Sequence, residues 1–226
     1  MLNWAARYFP ILRELRSLGE HCSILEVGSG SVGLGKFHNR TFVGCDVNFP
    51  TPPKAPMLPV IADATALPFS SRCFDAVIVS DVLEHIPPSQ RTAVIVEALR
   101  VARSVAIFAF PSGTQAFECD RRLSYDYDKG RVGVPPWLQE HMLYSFPTED
   151  LFEDMKSKWS IKSFGNEGLS FHYWIMRKEM SRLWSYLFSI LLFTMPRVVE
   201  LLLQHADREP FYRRIVILQR APQWVS

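Results

Sequence analysis

The chain has 226 residues, of which 48% are hydrophobic and 21% are charged, and its formal net charge is +2. This length and apolar content suffice for a buried core and exclude an intrinsically disordered chain. The small, dispersed positive charge gives no continuous basic surface, so nucleic acid is not an expected partner.

The N-terminal segment, residues 1–20, is predicted to form an amphipathic helix. Its apolar residues recur at helical spacing from Trp4 to Leu18, and three arginines interrupt them. A secretory signal needs an uninterrupted apolar stretch, which this segment lacks.

Strands and helices are predicted to alternate through residue 110. A helix is expected over 87–103, and five strands are expected over 23–27, 41–47, 57–62, 74–80 and 104–110. This alternation predicts an α/β fold, with a doubly wound, mostly parallel, seven-stranded sheet covered by helices on both faces. The whole chain, 1–226, is expected to form one domain.

The pattern changes after the fifth strand. Residues 113–147 mix glycine, proline, aromatic and charged residues without a period, which predicts an inserted functional cap without regular structure. The expected elements beyond it are a helix over 148–158, a strand over 159–164, helices over 170–206 with a break near Pro196, and a last strand over 212–219.

Cysteine spacing and the longest apolar run bear on cellular location. The four cysteines are too widely spaced for a paired metal clip, which indicates free thiols in a reducing cytoplasm. The apolar run Leu183–Met195 is shorter than the roughly twenty residues of a membrane span. Basic residues before this run leave a peripheral contact with anionic lipid open, although a packed helix with a basic exposed end is the commoner arrangement.

The loop after the first strand carries the first chemical signal. In Glu26-Val-Gly28-Ser-Gly30 two glycines end a strand, where they let the backbone approach a ligand. With Gly33 the spacing satisfies GxGxxG, and Asp46 follows in the second strand, as in NAD-binding folds. Glu26 favours a different ligand, because its carboxylate would repel a pyrophosphate and attract the amino group and sulfonium of S-adenosylmethionine. Asp46 can accept hydrogen bonds from the ribose hydroxyls of either ligand.

Four segments, taken in order, resemble successive motifs of the class I S-adenosylmethionine-dependent methyltransferases, in the small-molecule, type 11-like branch. The segments are Ile24–Gly30, Phe42–Asp46, Ala62–Phe69 and Phe74–Ile86. The resemblance implies a cofactor site whose methionine end is held by Glu26, Gly28 and Gly30, the ribose by Asp46, the adenine edge by Asp63 and Ala64, and the sulfonium and methyl by Ser80, Asp81 and Val82. Val32 stands where the family usually has its third glycine, so we expect the loop to bend one residue later, at Gly33.

Two histidines are candidate catalytic residues. His85 follows the methyl-lining segment and can take a proton near neutral pH, although an orienting or packing role fits equally well. His141 ends the segment Trp137-Leu-Gln-Glu-His141, which with Tyr144 is the best candidate for the acceptor site. No metal site is predicted, because no Cys, His and carboxylate set has ligand spacing.

The predicted reaction is in-line attack by an oxygen, nitrogen or carbon atom of an unidentified small-molecule or amphipathic acceptor on the methyl group of S-adenosylmethionine. Because that methyl is already activated, the protein mainly has to align the reactants and exclude water. Two alternatives stay open, namely an NAD-dependent oxidoreductase and a non-catalytic binding protein of the same fold. Neither the acceptor nor the oligomeric state follows from the sequence.

Overall fold

The computed structural model describes residues 1–19, 21–130 and 133–220 of the chain. A single seven-stranded sheet lies at its centre. Its strands are β1 (Ile24–Val27), β2 (Phe42–Asp46), β3 (Met57–Ile61), β4 (Phe74–Ser80), β5 (Ala102–Pro111), β6 (Trp159–Gly168) and β7 (Phe211–Arg220).

The strand order is β3-β2-β1-β4-β5-β7-β6. Neighbouring strands from β3 to β5 pair in parallel, and β7 runs antiparallel to both β5 and β6. The predicted doubly wound, mostly parallel sheet is therefore confirmed. The winding reverses between β1 and β4, and ligands of open α/β sheets bind in the crevice beyond the carboxyl ends of such strands. An antiparallel strand between β5 and β6 also departs from the 3-2-1-4-5-6 order of NAD-binding folds.

Helices flank this sheet on both faces. The α-helices are α1 (Leu2–Arg16), α2 (Pro88–Val101), α3 (Gly113–Lys129), α4 (Pro136–His141), α5 (Leu169–Glu179), α6 (Arg182–Thr194) and α7 (Pro196–Ala206). Two short 3-10 helices occupy Gly33–Lys36 and Glu149–Met155. The predicted break near Pro196 is confirmed, since that proline begins α7 and needs no backbone N–H there.

The prediction of an irregular segment after β5 was wrong. Residues 113–147 contain α3 and α4, and the buried positions of α3 recur at helical spacing, at Ala116, Asp120, Leu123 and Tyr127. A carboxylate at one of these core positions interrupts the apolar period from which a helix is predicted. The helix expected over 148–158 is likewise a shorter 3-10 helix.

Three apolar clusters hold these layers together. One joins α2 and the 3-10 helix Glu149–Met155 to one face of the sheet, and a second joins α1 to the other face. The third links α1 to α3, α4, α5, α6 and α7. The C-terminal helices are thus held against α1 and the segment after β5, and α6 and α7 themselves are buried only along a narrow stripe.

No single helix in the described ranges combines the length and the apolar composition that crossing a membrane requires. The helices α6 and α7 reach both only when taken together, and they are bent by 114° at their junction.

Candidate active site

The loop after β1 has left-handed backbone at three glycines. Gly28, Gly30 and Gly33 have φ values of 72°, 54° and 47°, which residues with a side chain rarely adopt. A Cβ on Gly28 would lie 2.2 Å from Val82 Cγ2, whereas one on Gly30 would meet nothing within 4 Å. Gly28 therefore lets the loop pack against the segment after β4, and Gly30 leaves the backbone accessible to a ligand. The third left-handed residue is Gly33 and not Val32, as predicted.

Glu26 is buried beneath this loop, with 1% of its surface exposed. Its Oε1 accepts a hydrogen bond from the Tyr8 hydroxyl at 2.7 Å, and its Oε2 accepts one from the Leu34 N–H at 2.6 Å. Burial raises the pKa of Glu26 to about 7, while these hydrogen bonds act in the opposite direction. Glu26 thus ties the loop to α1 and to the turn that begins at Gly33. Its contact with the methionine end stays a prediction.

Asp46 and Asp63 lie beside the loop, beyond the carboxyl ends of β2 and β3. Asp46 Oδ2 accepts a hydrogen bond from the Gly30 N–H at 2.8 Å. Asp63 Oδ1 accepts bonds from the backbone N–H and the hydroxyl of Thr65, both at 2.7 Å, and these bonds lower the pKa of Asp63. The two strand ends are adjacent, because the Ala62 N–H donates to the Asp46 carbonyl at 2.9 Å. Asp46, Asp63 and Ala64 therefore line one edge of the sheet, as a ribose and adenine site requires.

The segment Ser80-Asp81-Val82 follows the crevice side of β4. The Ser80 hydroxyl is buried and has no hydrogen-bond partner among the described residues. Asp81 has a φ of 51°, and its N–H donates to the Ala109 carbonyl of β5 at 2.8 Å. An unpartnered buried hydroxyl next to an accessible glycine loop fits a polar ligand bound between β1 and β4.

The Asp81 carboxylate belongs to a buried ionic cluster. Arg213 of β7 contacts both of its oxygens at 2.9 Å, and Arg7 of α1 contacts it at 2.6 Å. Arg213 also donates to Glu167, at the end of β6, at 2.6 Å. Burial disfavours the charged carboxylate, but Arg213 and Arg7 together hold the pKa of Asp81 well below its usual range. Asp81 therefore joins α1, β4 and β7, a role that the sequence did not predict.

Buried polar contacts continue from this cluster to His141. His172 Nδ1 lies 3.0 Å from Glu167 Oε1, and its ring stacks on Tyr212 with the centroids 3.4 Å apart. Asp120 accepts a hydrogen bond from the Tyr212 hydroxyl at 2.8 Å and lies 2.6 Å from His141 Nδ1. Burial disfavours the charged imidazole, but Glu167 and Asp120 raise the pKa of His172 to about 9. His172 is thus an imidazolium between two carboxylates at neutral pH.

His85 and His141, which the sequence analysis proposed separately, lie side by side with ring centroids 4.8 Å apart. His85 Nδ1 is 2.9 Å from Glu140 Oε2, and His141 Nε2 is 3.8 Å from Glu84 Oε1. Burial and the neighbouring His141 lower the pKa of His85. Its imidazole is therefore neutral and able to accept a proton near pH 7. The catalytic roles of both histidines stay predictions.

Residues 25–110 match the family described as a methyltransferase domain. This segment contains the glycine loop, Asp46, Asp63 and the end of β4, within a sheet that has an antiparallel seventh strand. The chain carries a class I S-adenosylmethionine-dependent methyltransferase domain. The predicted family, enzyme class and methyl donor are confirmed. No curated protein sequence matches the chain.

Solved structures of other methyltransferases share the fold. The phosphoethanolamine N-methyltransferase 2 of Haemonchus contortus, in complex with phosphomonomethylethanolamine and S-adenosylhomocysteine, aligns with a TM-score of 0.55 at 16% identity, over 94% of this chain and 52% of that one. A putative sarcosine dimethylglycine methyltransferase of Galdieria sulphuraria has a TM-score of 0.55 at 13% identity, over 94% and 83% of the two chains. The magnesium protoporphyrin IX methyltransferase of Synechocystis has a TM-score of 0.49 at 14% identity, over 94% and 81%.

Sequence reasoning missed the β7 side of this methyltransferase site. Arg213, Glu167, His172 and Asp120 are all buried, and none was proposed. A charge within the apolar strand β7 is the available signal for Arg213, because a buried charge needs a partner. Nothing in the sequence identifies that partner as Asp81, 132 residues away.

Proposed function

We propose that this methyltransferase transfers the methyl group of S-adenosylmethionine to an amphipathic acceptor held at an anionic membrane surface. The observation that carries the proposal is an exposed apolar face on α6 and α7, bordered by basic side chains. The crevice between β1 and β4 supplies the donor site.

The residues around the crevice fit the donor. Gly30 offers accessible backbone, Asp46 offers a carboxylate at the end of β2, and the buried Ser80 hydroxyl has no partner among the described residues. S-adenosylmethionine, when bound, supplies a methyl group activated by a positively charged sulfur. The protein then has to align the acceptor and exclude water, which contributes roughly 7 to 11 kcal/mol in favourable systems.

The two neighbouring histidines are proposed to face the acceptor. His85 has a lowered pKa and can take a proton from an acceptor oxygen or nitrogen, and His141 is held by Asp120. Because the leaving sulfur starts with a positive charge, an acceptor that is already nucleophilic needs no base.

The α6–α7 face consists of large apolar side chains, each between 37% and 87% exposed. An apolar surface of this kind on a folded domain indicates a contact with lipid or with a partner. Its members are Leu183, Trp184, Tyr186, Leu187, Ile190, Phe193, Met195, Val198, Leu201 and Leu202.

Basic side chains border this face and line an adjoining cavity of about 850 Å³ between α1, α6, α7 and the residues after the glycine loop. The cavity lining includes Arg16, Lys36, Lys54 and Arg197, together with the apolar Phe193. Lipid headgroups of negative charge complement such a border, at about 1 kcal/mol for each basic residue near the surface. A second copy of the chain would instead bring an equally basic border against it, so we commit to an anionic membrane.

The proposed location is the cytoplasmic side of that membrane. All four cysteines are free thiols, which suits a reducing compartment. The cytoplasmic leaflet is also the one that carries anionic lipid.

Flotation with lipid vesicles tests the membrane part of the proposal. We expect the chain to float with vesicles of phosphatidylcholine and phosphatidylglycerol, and much less with phosphatidylcholine alone. The double variant Leu187→Ser, Phe193→Ser should bind about tenfold more weakly or worse, because two large apolar side chains no longer enter the lipid. The control Ile61→Ser changes a 72% exposed residue at the edge strand β3 and should bind like the wild type.

Two results would contradict the membrane assignment. Equal flotation of the double variant and the wild type would remove the apolar face from the contact. A stable dimer without lipid, dissociated by the double variant, would show that a second copy covers the face. Titration with S-adenosylhomocysteine on the same variants should give unchanged affinity, which separates docking from donor binding.

A further inference from the structure

Glu84, His85 and His141 form a cluster that methyl transfer by alignment alone does not require. One atom able to bind a metal from each residue lies within 4.8 Å of the others. Glu84 is fully buried, and neither carboxylate oxygen receives a hydrogen bond from another described residue. A buried carboxylate without donors is unfavourable unless a proton or a cation neutralises it. Burial and the neighbouring Asp81 accordingly raise the pKa of Glu84 well above its ordinary value.

His141 is held in the orientation of a metal ligand. Asp120 Oδ2 lies 2.6 Å from His141 Nδ1, and hydrogen bonds from His141 and His172 lower the pKa of Asp120 although burial opposes them. The Nδ1–H therefore donates to a carboxylate, which leaves Nε2 as an unprotonated acceptor. A carboxylate that fixes the far nitrogen of a histidine is the usual support of a metal-binding imidazole.

The gap between His141 and Glu84 fits a shared cation better than a hydrogen bond. His141 Nε2 is 3.8 Å from Glu84 Oε1, beyond hydrogen-bond distance. Nitrogen and oxygen ligands lie about 2.0 to 2.2 Å from Zn²⁺, so two ligands of one ion are separated by at most about 4.4 Å. The observed pair already lies within that limit, and the whole cluster needs only a small closure of its side chains.

We propose that Glu84, His85 and His141 bind one divalent transition-metal ion, and that Zn²⁺ fits this ligand set best. Two imidazoles and one carboxylate leave a fourth position open in tetrahedral zinc sites. Two imidazoles among three ligands disfavour Mg²⁺ and Ca²⁺, which prefer oxygen. The sequence analysis predicted no metal site, because α4 brings His141 to the loop after β4 only in the fold.

The position of the cluster gives the metal a role. Glu84 and His85 directly follow the segment predicted to line the methyl group, so the open position can hold an oxygen of the acceptor. This role rests on the proposed function, whereas metal binding itself does not. His85 then serves as a ligand and not as a base.

Calorimetric titration of the metal-stripped full chain with zinc chloride tests the site. We expect one Zn²⁺ per chain with micromolar or tighter affinity. Glu84→Gln keeps the shape and removes the charge, and His85→Gln removes a partly exposed ligand; each should weaken binding by about 100-fold or more. Asp120→Asn should weaken it about 10- to 100-fold. The control His21→Gln changes an exposed histidine outside the cluster and should have no effect.

Several results would overturn the metal site. They are a folded wild-type chain that takes up no Zn²⁺, unchanged binding in both Glu84→Gln and His85→Gln, and an equal loss in His21→Gln, which would show binding at surface histidines. Titration of the same samples with S-adenosylhomocysteine reports donor binding independently. Loss of that binding with zinc uptake retained would count against the proposed function and would leave the metal site standing.

Discussion

The two sides of the site are built by different kinds of contact. On the donor side, the backbone of the glycine loop is fixed by Glu26, from the strand that precedes it, and by Asp46, from the neighbouring strand. On the β7 side, Arg213 reaches 132 residues back to Asp81, and Tyr212 reaches 92 residues back to Asp120. Substitutions on the donor side should therefore mainly change ligand binding, and those on the β7 side should mainly change stability.

The largest effect is expected from Arg213→Met. It leaves the Asp81 and Glu167 carboxylates buried without this partner, and breaking a buried ion pair in this way costs about 3 to 5 kcal/mol. Arg214→Met is the matched control, because the neighbouring Arg214 pairs at a more exposed position with Glu149 and should cost no more than about 1 kcal/mol. Urea unfolding measures both. Equal losses of free energy would refute the view that the buried cluster stabilises the β7 side.

The pH dependence of stability isolates Glu26. Its pKa is raised to about 7 in the folded chain and returns near its ordinary value on unfolding. The folded chain therefore binds more protons between pH 4.5 and 7, and this contribution to stability is complete below that window and lost as the pH rises through it. The free energy of unfolding of the wild type relative to Glu26→Gln should fall by roughly 3 kcal/mol between pH 4.5 and pH 8. A difference that does not change with pH would mean that Glu26 titrates normally.

A smaller effect is expected from Gly28→Ala. A Cβ there would both strain the left-handed backbone and meet Val82, at a cost of about 2 kcal/mol, and would displace the loop enough to weaken S-adenosylhomocysteine binding about tenfold. Gly19→Ala has a similar left-handed backbone in open space and should cost about 1 kcal/mol without changing the affinity. Thermal unfolding and calorimetry distinguish the two variants. Equal affinities would show that loop geometry does not control donor binding.

The donor side could be predicted from the sequence because its signals are local. The end of an apolar strand, two glycines and a carboxylate within five residues identified the loop, and Val32 correctly indicated a bend one residue later. Strand alternation also gave the sheet, since periodicity depends only on neighbouring residues.

The β7 side could not be predicted for a physical reason. Asp120 occupies a core position of α3, so the apolar period that marks a helix is broken and the segment looked irregular. His141 and His85 were each noticed, but their contact depends on how α4 packs against the loop after β4. Pairs of buried charges carry no sequence signal beyond the charge itself.

Calorimetric titration with S-adenosylhomocysteine tests the donor site most directly. The wild-type chain should bind it with micromolar affinity, and Asp46→Ala should weaken binding at least about tenfold, because hydrogen bonds between the ribose hydroxyls and a charged group are lost. NAD(H) should not compete. A well-folded chain that binds no S-adenosylhomocysteine, or binds it equally well without the Asp46 carboxylate, would contradict the donor site described above.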